Sequence, residues 1–246
     1  MNLSVCIDAV FHGQDAVQSL NTLAGYGVKA FEFWGWWDKD LNRIKAAKDE
    51  LNLDIAAFCT RFISLVDPSQ RQAYLAGLEE SILAAQFMGC KTLITQVGAD
   101  TGAERGIQEE SLIAGLRACI PLLERAAITL VFEPLNTLVD HQGYYLYRSD
   151  EAFRVAGQVD SPQVKVLYDI YHQQIMEGHL IRRITENIGR IGHFHAAGNP
   201  GRNELYYGEI NYPEVFRAIQ TTGYQGYVGL EYFPKDDPVK GITAFL

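Results

Sequence analysis

The feature that most constrains this chain is an alternation of β-like and α-like hydrophobic patterns that runs from one end to the other. Leu3–Ala9, Val28–Trp34, Leu53–Cys59 and Thr92–Val97 read as the first four strands. Ile128–Phe132, Val164–Ile170, Ile191–Ala196 and Tyr227–Tyr232 read as the next four. Between them, apolar residues recur at helical spacing, as in Val17, Leu20, Leu23 and Ala24, or Leu180, Ile181, Ile184 and Ile188. Stop and start signals agree with that division. Gly25-Tyr26-Gly27 ends the first helix, Asp67-Pro68 opens the long third one, and Asn211 caps a helix with Pro213 in its first turn. Strands alternating with helices require a parallel sheet with crossover connections. Eight units in 246 residues, without a linker or low-complexity stretch, fit one closed (β/α)8 barrel over residues 1–246. A doubly wound open sheet gives the same alternation. However, no GxGxxG follows the first strand and no GxxxxGK[ST] occurs anywhere.

Charge and cysteine usage narrow the function. The formal net charge of −9 repels a phosphate backbone, so a small molecule is the expected partner and nucleic acid is not. No segment offers the ~18 uncharged apolar residues of a membrane span. The first residues run straight into a strand pattern without a basic leader. Cys6, Cys59, Cys90 and Cys119 are scattered, which suits reduced thiols and a cytoplasmic location. A homo-oligomer is compatible with the sequence and nothing in it sets the number of copies.

The chemistry is concentrated in the second half. Strand five ends Val131-Phe132-Glu133, strand six Leu167-Tyr168-Asp169, strand seven His193-Phe194-His195, and strand eight Gly229-Leu230-Glu231. Four consecutive apolar strands thus each end in an ionisable residue, at the rim where barrels of this kind build their sites. Singly, each has an ordinary reading: a rim ion pair, a helix cap, a satisfied core histidine. Together, three close carboxylates would repel one another and raise their pKa values unless a cation sat among them. Three carboxylates and one imidazole favour one divalent ion of the Mn²⁺, Mg²⁺ or Co²⁺ type, with Zn²⁺ also acceptable.

Several stretches resemble a known family. Glu-Pro-Leu-Asn at 133–136, Tyr-Asp-Ile-Tyr-His-Gln-Gln at 168–174, Met-Glu-Gly at 176–178, Asn-Pro-Gly-Arg at 199–202, Gly-Glu-Ile-Asn-Tyr at 208–212 and Gly-Leu-Glu-Tyr at 229–232 carry it. The chain is similar to the xylose-isomerase-like TIM barrels, and within them to the hydroxypyruvate isomerases, with ketose 3-epimerases as near relatives. The resemblance implies Glu133, Asp169, His195 and Glu231 as metal ligands. It further implies Glu133 and Glu231 as the proton-transfer groups, and His172 and Arg202 as substrate contacts. Two departures bear on the substrate. Hydroxypyruvate isomerases often carry an amide where His195 stands, whereas epimerases carry histidine. Epimerases usually place a second substrate-binding glutamate where this chain has Val139.

The expected activity is therefore metal-dependent isomerisation of a keto acid or ketose through an enediolate, with 3-epimerisation of a ketose as the alternative. A metal-dependent DNA-repair endonuclease is disfavoured by the net charge and by histidines lying mostly away from strand ends. A non-catalytic sugar-binding barrel would keep the pocket without needing the ion. Trp34, beside Trp36 and Trp37, is a candidate aromatic wall for the substrate. Gln96 reads as a hydroxyl contact or, more ordinarily, a plain rim residue, and Cys59 as a ligand contact or, more ordinarily, inert filling; His193 shares the strand parity of His195 and is expected to point inward beneath it as a core or supporting histidine.

Overall fold

Asn2–Cys6 forms the first strand, β1, and the residues expected to prolong it turn away as a short helix, Ile7–Val10. The computed structural model describes residues 1–235 and 237–246. The turn has a cause in the next unit. The Asp8 carboxylate accepts the backbone N–H of Trp34 at 2.8 Å and lies 2.9 Å from Lys39 Nζ, so the C-terminal ends of the first two strands are pinned together.

The remaining strands are β2 (Ala30–Phe33), β3 (Asp54–Cys59), β4 (Thr92–Thr95), β5 (Thr129–Phe132), β6 (Val164–Asp169), β7 (Ile191–Ala196) and β8 (Tyr227–Leu230). Among the described residues these eight form a closed parallel barrel in sequence order, β8 pairing back onto β1 with Ser4 opposite Gly229. The open-sheet alternative is thereby removed. Crossover helices include Ala16–Gly25, Leu41–Glu50, Arg71–Met88, Arg105–Ala126, Ser149–Val159, Leu180–Asn187 and Tyr212–Thr221. Their starts follow the sequence signals. Asp67 accepts the Ser69 N–H ahead of Pro68, and Asn211 accepts the Glu214 N–H.

Burial follows the strand pleat. Outward residues such as Phe31, Phe33, Leu93, Leu130, Val166 and Phe194 pack against the helices, while Ala57, Cys59, Ile94, Val131 and Leu167 meet inside the barrel. All four cysteines are free and buried. Among the described residues no helix is long and apolar enough to cross a membrane.

Candidate active site

The site lies at the C-terminal ends of the strands, where the pleat turns one side chain per strand into the mouth of the barrel. Glu133 follows β5, Asp169 ends β6, His195 lies in β7 and Glu231 follows β8; all four are buried. His195 Nδ1 lies 3.7 Å from Glu133 Oε1 and 3.4 Å from Glu231 Oε2. Two carboxylates from strands well apart in the sheet thus bracket one imidazole nitrogen. Asp169 divides its two oxygens between tasks. Oδ1 accepts the N–H groups of Tyr171 (2.7 Å) and His172 (3.2 Å), capping the helix Ile170–Met176, and Oδ2 is left for the site.

His172 is fully buried, with Nε2 3.5 Å from Asp169 Oδ2. Its Nδ1 faces two donors of Asn136, the backbone N–H at 3.3 Å and the side-chain Nδ2 at 2.7 Å. That assigns Nδ1 as acceptor and places the ring hydrogen on Nε2, facing the site. Burial, and then the Arg202 charge, push the His172 pKa well below the usual histidine range, so the ring is neutral.

Arg202 reaches the site from the loop after β7. Its guanidinium pairs with Glu231 Oε2 and lies 3.9 Å from Asp169 Oδ2. Its backbone φ of 54° is unusual for a residue with a Cβ, and the loop is locked around it. Gly198 N–H donates to Asn203 O, Glu209 N–H to Asn199 O, and Phe233 N–H to Arg202 O. A Cβ at Gly208 would lie 2.1 Å from Asn199 O, so this close backbone approach requires glycine.

Electrostatically the cluster is an acid trap. Burial raises the pKa values of Glu133 and Asp169. Burial pushes Glu231 up as well, but Arg202 and His195 outweigh it and hold that carboxyl well below its ordinary value. Burial disfavours the His195 cation, yet Glu231 and Glu32 raise its pKa well above the usual range.

The donor set fits a divalent cation. Asp169, His195 and Glu231 offer ligand atoms within 4.8 Å of one another, and Glu133 Oε1 lies 3.7 Å from His195 Nδ1. Among the described residues Glu133 Oε1, His195 Nδ1 and His172 Nε2 are buried without a hydrogen-bond partner, a costly state for polar atoms unless something binds them. Oxygen-rich ligation with one nitrogen suits hard or borderline ions.

Beside the cluster is a cavity of about 350 Å³, walled by Glu133, His195, Arg202 and Glu231 and by Trp34, Leu135, Phe62 and Phe233. Trp34 Nε1 donates to Glu231 Oε1 at 2.6 Å. Gln96 and Cys59 also reach the wall, with Gln96 Nε2 3.7 Å from the thiol. Asp169 and His172 do not reach it in this arrangement. Trp36 and Trp37 stack under the Arg61 guanidinium, and neither reaches the wall. Sequence reasoning missed Phe62, Leu135, His141 and Phe233, which are loop residues brought in by the fold. It also missed Glu32, whose carboxylate lies inside the barrel 2.8 Å from His193 Nε2.

Known proteins resemble this chain in sequence and in fold. The chain is 32% identical over 182 residues to a human protein provisionally named hydroxypyruvate isomerase, covering 72% of this chain and 66% of that one, just short of two thirds of its length. It is 29% identical over 252 residues to the hydroxypyruvate isomerase of Escherichia coli K12, covering 98% and 97% of the two chains. A solved structure described as AP endonuclease, family 2, from Brucella melitensis superposes with a TM-score of 0.93 at 29% identity, covering 100% of this chain and 98% of that one. The family described as the xylose isomerase-like TIM barrel matches residues 20–246, and the chain belongs to it.

Proposed function

We propose that this protein is a metal-dependent isomerase of a small α-hydroxy-carbonyl compound, with a hydroxypyruvate-type keto acid as the first substrate to test. The observation that carries this reading is the bracket of Glu133 and Glu231 around His195 Nδ1 at the wall of a small cavity. Glu133, Asp169, His195 and Glu231 would hold one divalent ion, Mn²⁺ first and Mg²⁺, Co²⁺ or Zn²⁺ as alternatives. Bound there, the ion supplies an electrophile that polarises the substrate carbonyl and acidifies the neighbouring C–H.

The chain's own groups perform the proton transfers. One of Glu133 and Glu231 takes the proton from the carbon bearing the hydroxyl, leaving an enediolate. The same group or its counterpart delivers a proton to the former carbonyl carbon while the hydroxyl proton passes to the former carbonyl oxygen, which turns a hydroxy-ketone into a hydroxy-aldehyde. The Trp34 N–H donated to Oε1 and the Arg202 guanidinium on Oε2 fix the Glu231 carboxylate at the cavity wall. Arg202 reaches the cavity wall, and its planar fork suits a substrate carboxylate. Trp34, Phe62, Leu135 and Phe233 keep bulk water from the reacting carbons.

Ketose 3-epimerisation is the second reading, and His195 favours it, because an imidazole at that position resembles the epimerases. It differs only in returning the proton to the same carbon from the opposite face. An endonuclease is a weaker fit, since the cavity suits a compound of a few heavy atoms and the net charge is −9.

The test is metal analysis of the purified protein, paired with turnover of keto acids and ketoses of three to six carbons. We expect one divalent ion per chain and turnover of hydroxypyruvate. Turnover confined to ketoses, with the product epimeric at carbon three, would replace the first reading with the second. No turnover on any of them would reject both.

A further inference from the structure

Glu32 projects from β2 into the barrel beneath the rim acids, and the chemistry proposed above gives it nothing to do. Barrel interiors of this kind are filled mostly by branched aliphatic side chains. Ala57, Ile94, Val131 and Leu167 follow that pattern here. Glu32 breaks it while fully buried. Packing does not account for it, because apolar residues of similar volume commonly replace a buried ion pair without loss of stability.

The geometry of its two oxygens gives the account. Oε2 lies 2.8 Å from His193 Nε2, and Oε1 lies 3.4 Å from His195 Nε2. Among the described residues neither Glu32 Oε1 nor His195 Nε2 has a hydrogen-bond partner, so two buried, unsatisfied atoms face each other. On the far side of the same ring, His195 Nδ1 faces Glu133 and Glu231. Strand β8 makes room for the arrangement. A Cβ at Gly229 would sit 1.9 Å from Glu32 Oε1 and 2.8 Å from His195 Cδ2.

We infer that Glu32 is the positioning residue of His195: it accepts the Nε2 hydrogen, which leaves the Nδ1 lone pair aimed at the rim carboxylates. His193 fixes Glu32 in turn from the strand that carries His195. A carboxylate behind a ligating histidine sets its tautomer and orientation and raises its basicity as a ligand. The inference rests on the metal-site reading above and extends it to a residue that touches neither ion nor substrate.

The experiment uses the full chain loaded with diamagnetic Zn²⁺ and labelled with ¹⁵N at histidine. Long-range ¹H–¹⁵N spectra, assigned with His195→Asn, report which ring nitrogen carries the hydrogen. We expect His195 protonated at Nε2 with Nδ1 as the ligand; protonation at Nδ1 with Nε2 as the ligand overturns the inference without any variant at position 32. In parallel, Mn²⁺ affinity is measured by chelator competition for wild type, Glu32→Gln and His193→Gln. Glu32→Gln should weaken Mn²⁺ binding ~10–100-fold and His193→Gln should weaken it less. Folded Glu32→Gln with a Kd within about twofold of wild type overturns the positioning role. If Glu32→Gln does not fold, His193→Gln and the wild-type spectra decide. Wild type that binds no divalent ion would instead reject the metal-site reading itself, so the two failures are distinct.

Discussion

The indole Nε1 of Trp34 donates a 2.6 Å hydrogen bond to Oε1 of Glu231, tying the end of the second strand to the end of the eighth over the first strand that lies between them. A hydrogen bond to a charged acceptor contributes about 1.5–3 kcal/mol. Trp34→Phe keeps the aromatic wall and deletes the donor. We expect kcat/KM to fall ~10–100-fold, the kinetic equivalent of that loss, at unchanged metal content. Steady-state kinetics with metal analysis check this, and an unaltered kcat/KM would reduce Trp34 to wall material.

Chelation should abolish activity, and Mn²⁺ or Co²⁺ should restore it. The cluster of buried acids also predicts a stability effect. An ion that binds only the folded chain stabilises it by about 2.7 kcal/mol at a hundredfold excess over Kd. Thermal melts across a Mn²⁺ titration should therefore show Tm rising with concentration. Full activity in rigorously metal-free protein would end the metal-assisted mechanism.

Glu133→Gln and Glu231→Gln are near-isosteric and remove the proposed bases. Each should lower kcat ~10²–10⁴-fold, with metal occupancy measured alongside, since both residues are also proposed ligands. Wild type turning over in D₂O should place solvent deuterium on the reacting carbon. Complete retention of the substrate hydrogen would indicate a hydride shift and leave the two glutamates as ligands only.

Arg202→Lys keeps a positive charge and loses the planar fork. We expect KM for an anionic substrate to rise ~10-fold while metal content holds, because a point charge cannot replace two parallel donors. Unchanged kinetics would show that Arg202 serves only as counter-charge to Glu231 and Asp169.

Gly208→Ala tests the same residue through its loop. The added Cβ would meet the Asn199 carbonyl oxygen at 2.1 Å, a backbone contact that no rotamer relieves, and Gly208 has a φ of 94°. The loop should open locally at a cost of about 1–3 kcal/mol and release Arg202. KM should therefore rise as in Arg202→Lys, with the barrel's circular dichroism unchanged. Kinetics like those of wild type would mean that Arg202 holds its place without the loop.

The rim acids were legible in the sequence because each closes an apolar run, and the strand pattern that names them also places them on one face. Asp169 and Glu231 needed no contact information to be found. Other features depend on partners far away in the chain. Leu3–Ala9 reads as one strand because Ile7, Ala9 and Val10 are apolar; the turn after Cys6 is set by Asp8 meeting Trp34 and Lys39. Glu32 sits between Phe31 and Phe33 and looks like a lone strand acid, while its histidine partner lies 161 residues away. One signal was available. Gly229 interrupts an apolar strand, and an isolated glycine there marks close approach of another group. Phe62 and Phe233 left no trace, because loop residues gain a role only when the barrel closes.

The division of Asp169 between a helix cap and the site gives the backbone a stake in what the mouth of the barrel contains. Whatever draws on Oδ2 also shifts the charge on Oδ1, and Oδ1 is held by the amides of Tyr171 and His172. Hydrogen-exchange rates at those two amides should therefore change with occupancy. The first turn of the helix Ile170–Met176 becomes an unlabelled gauge of the site, readable without a turnover assay.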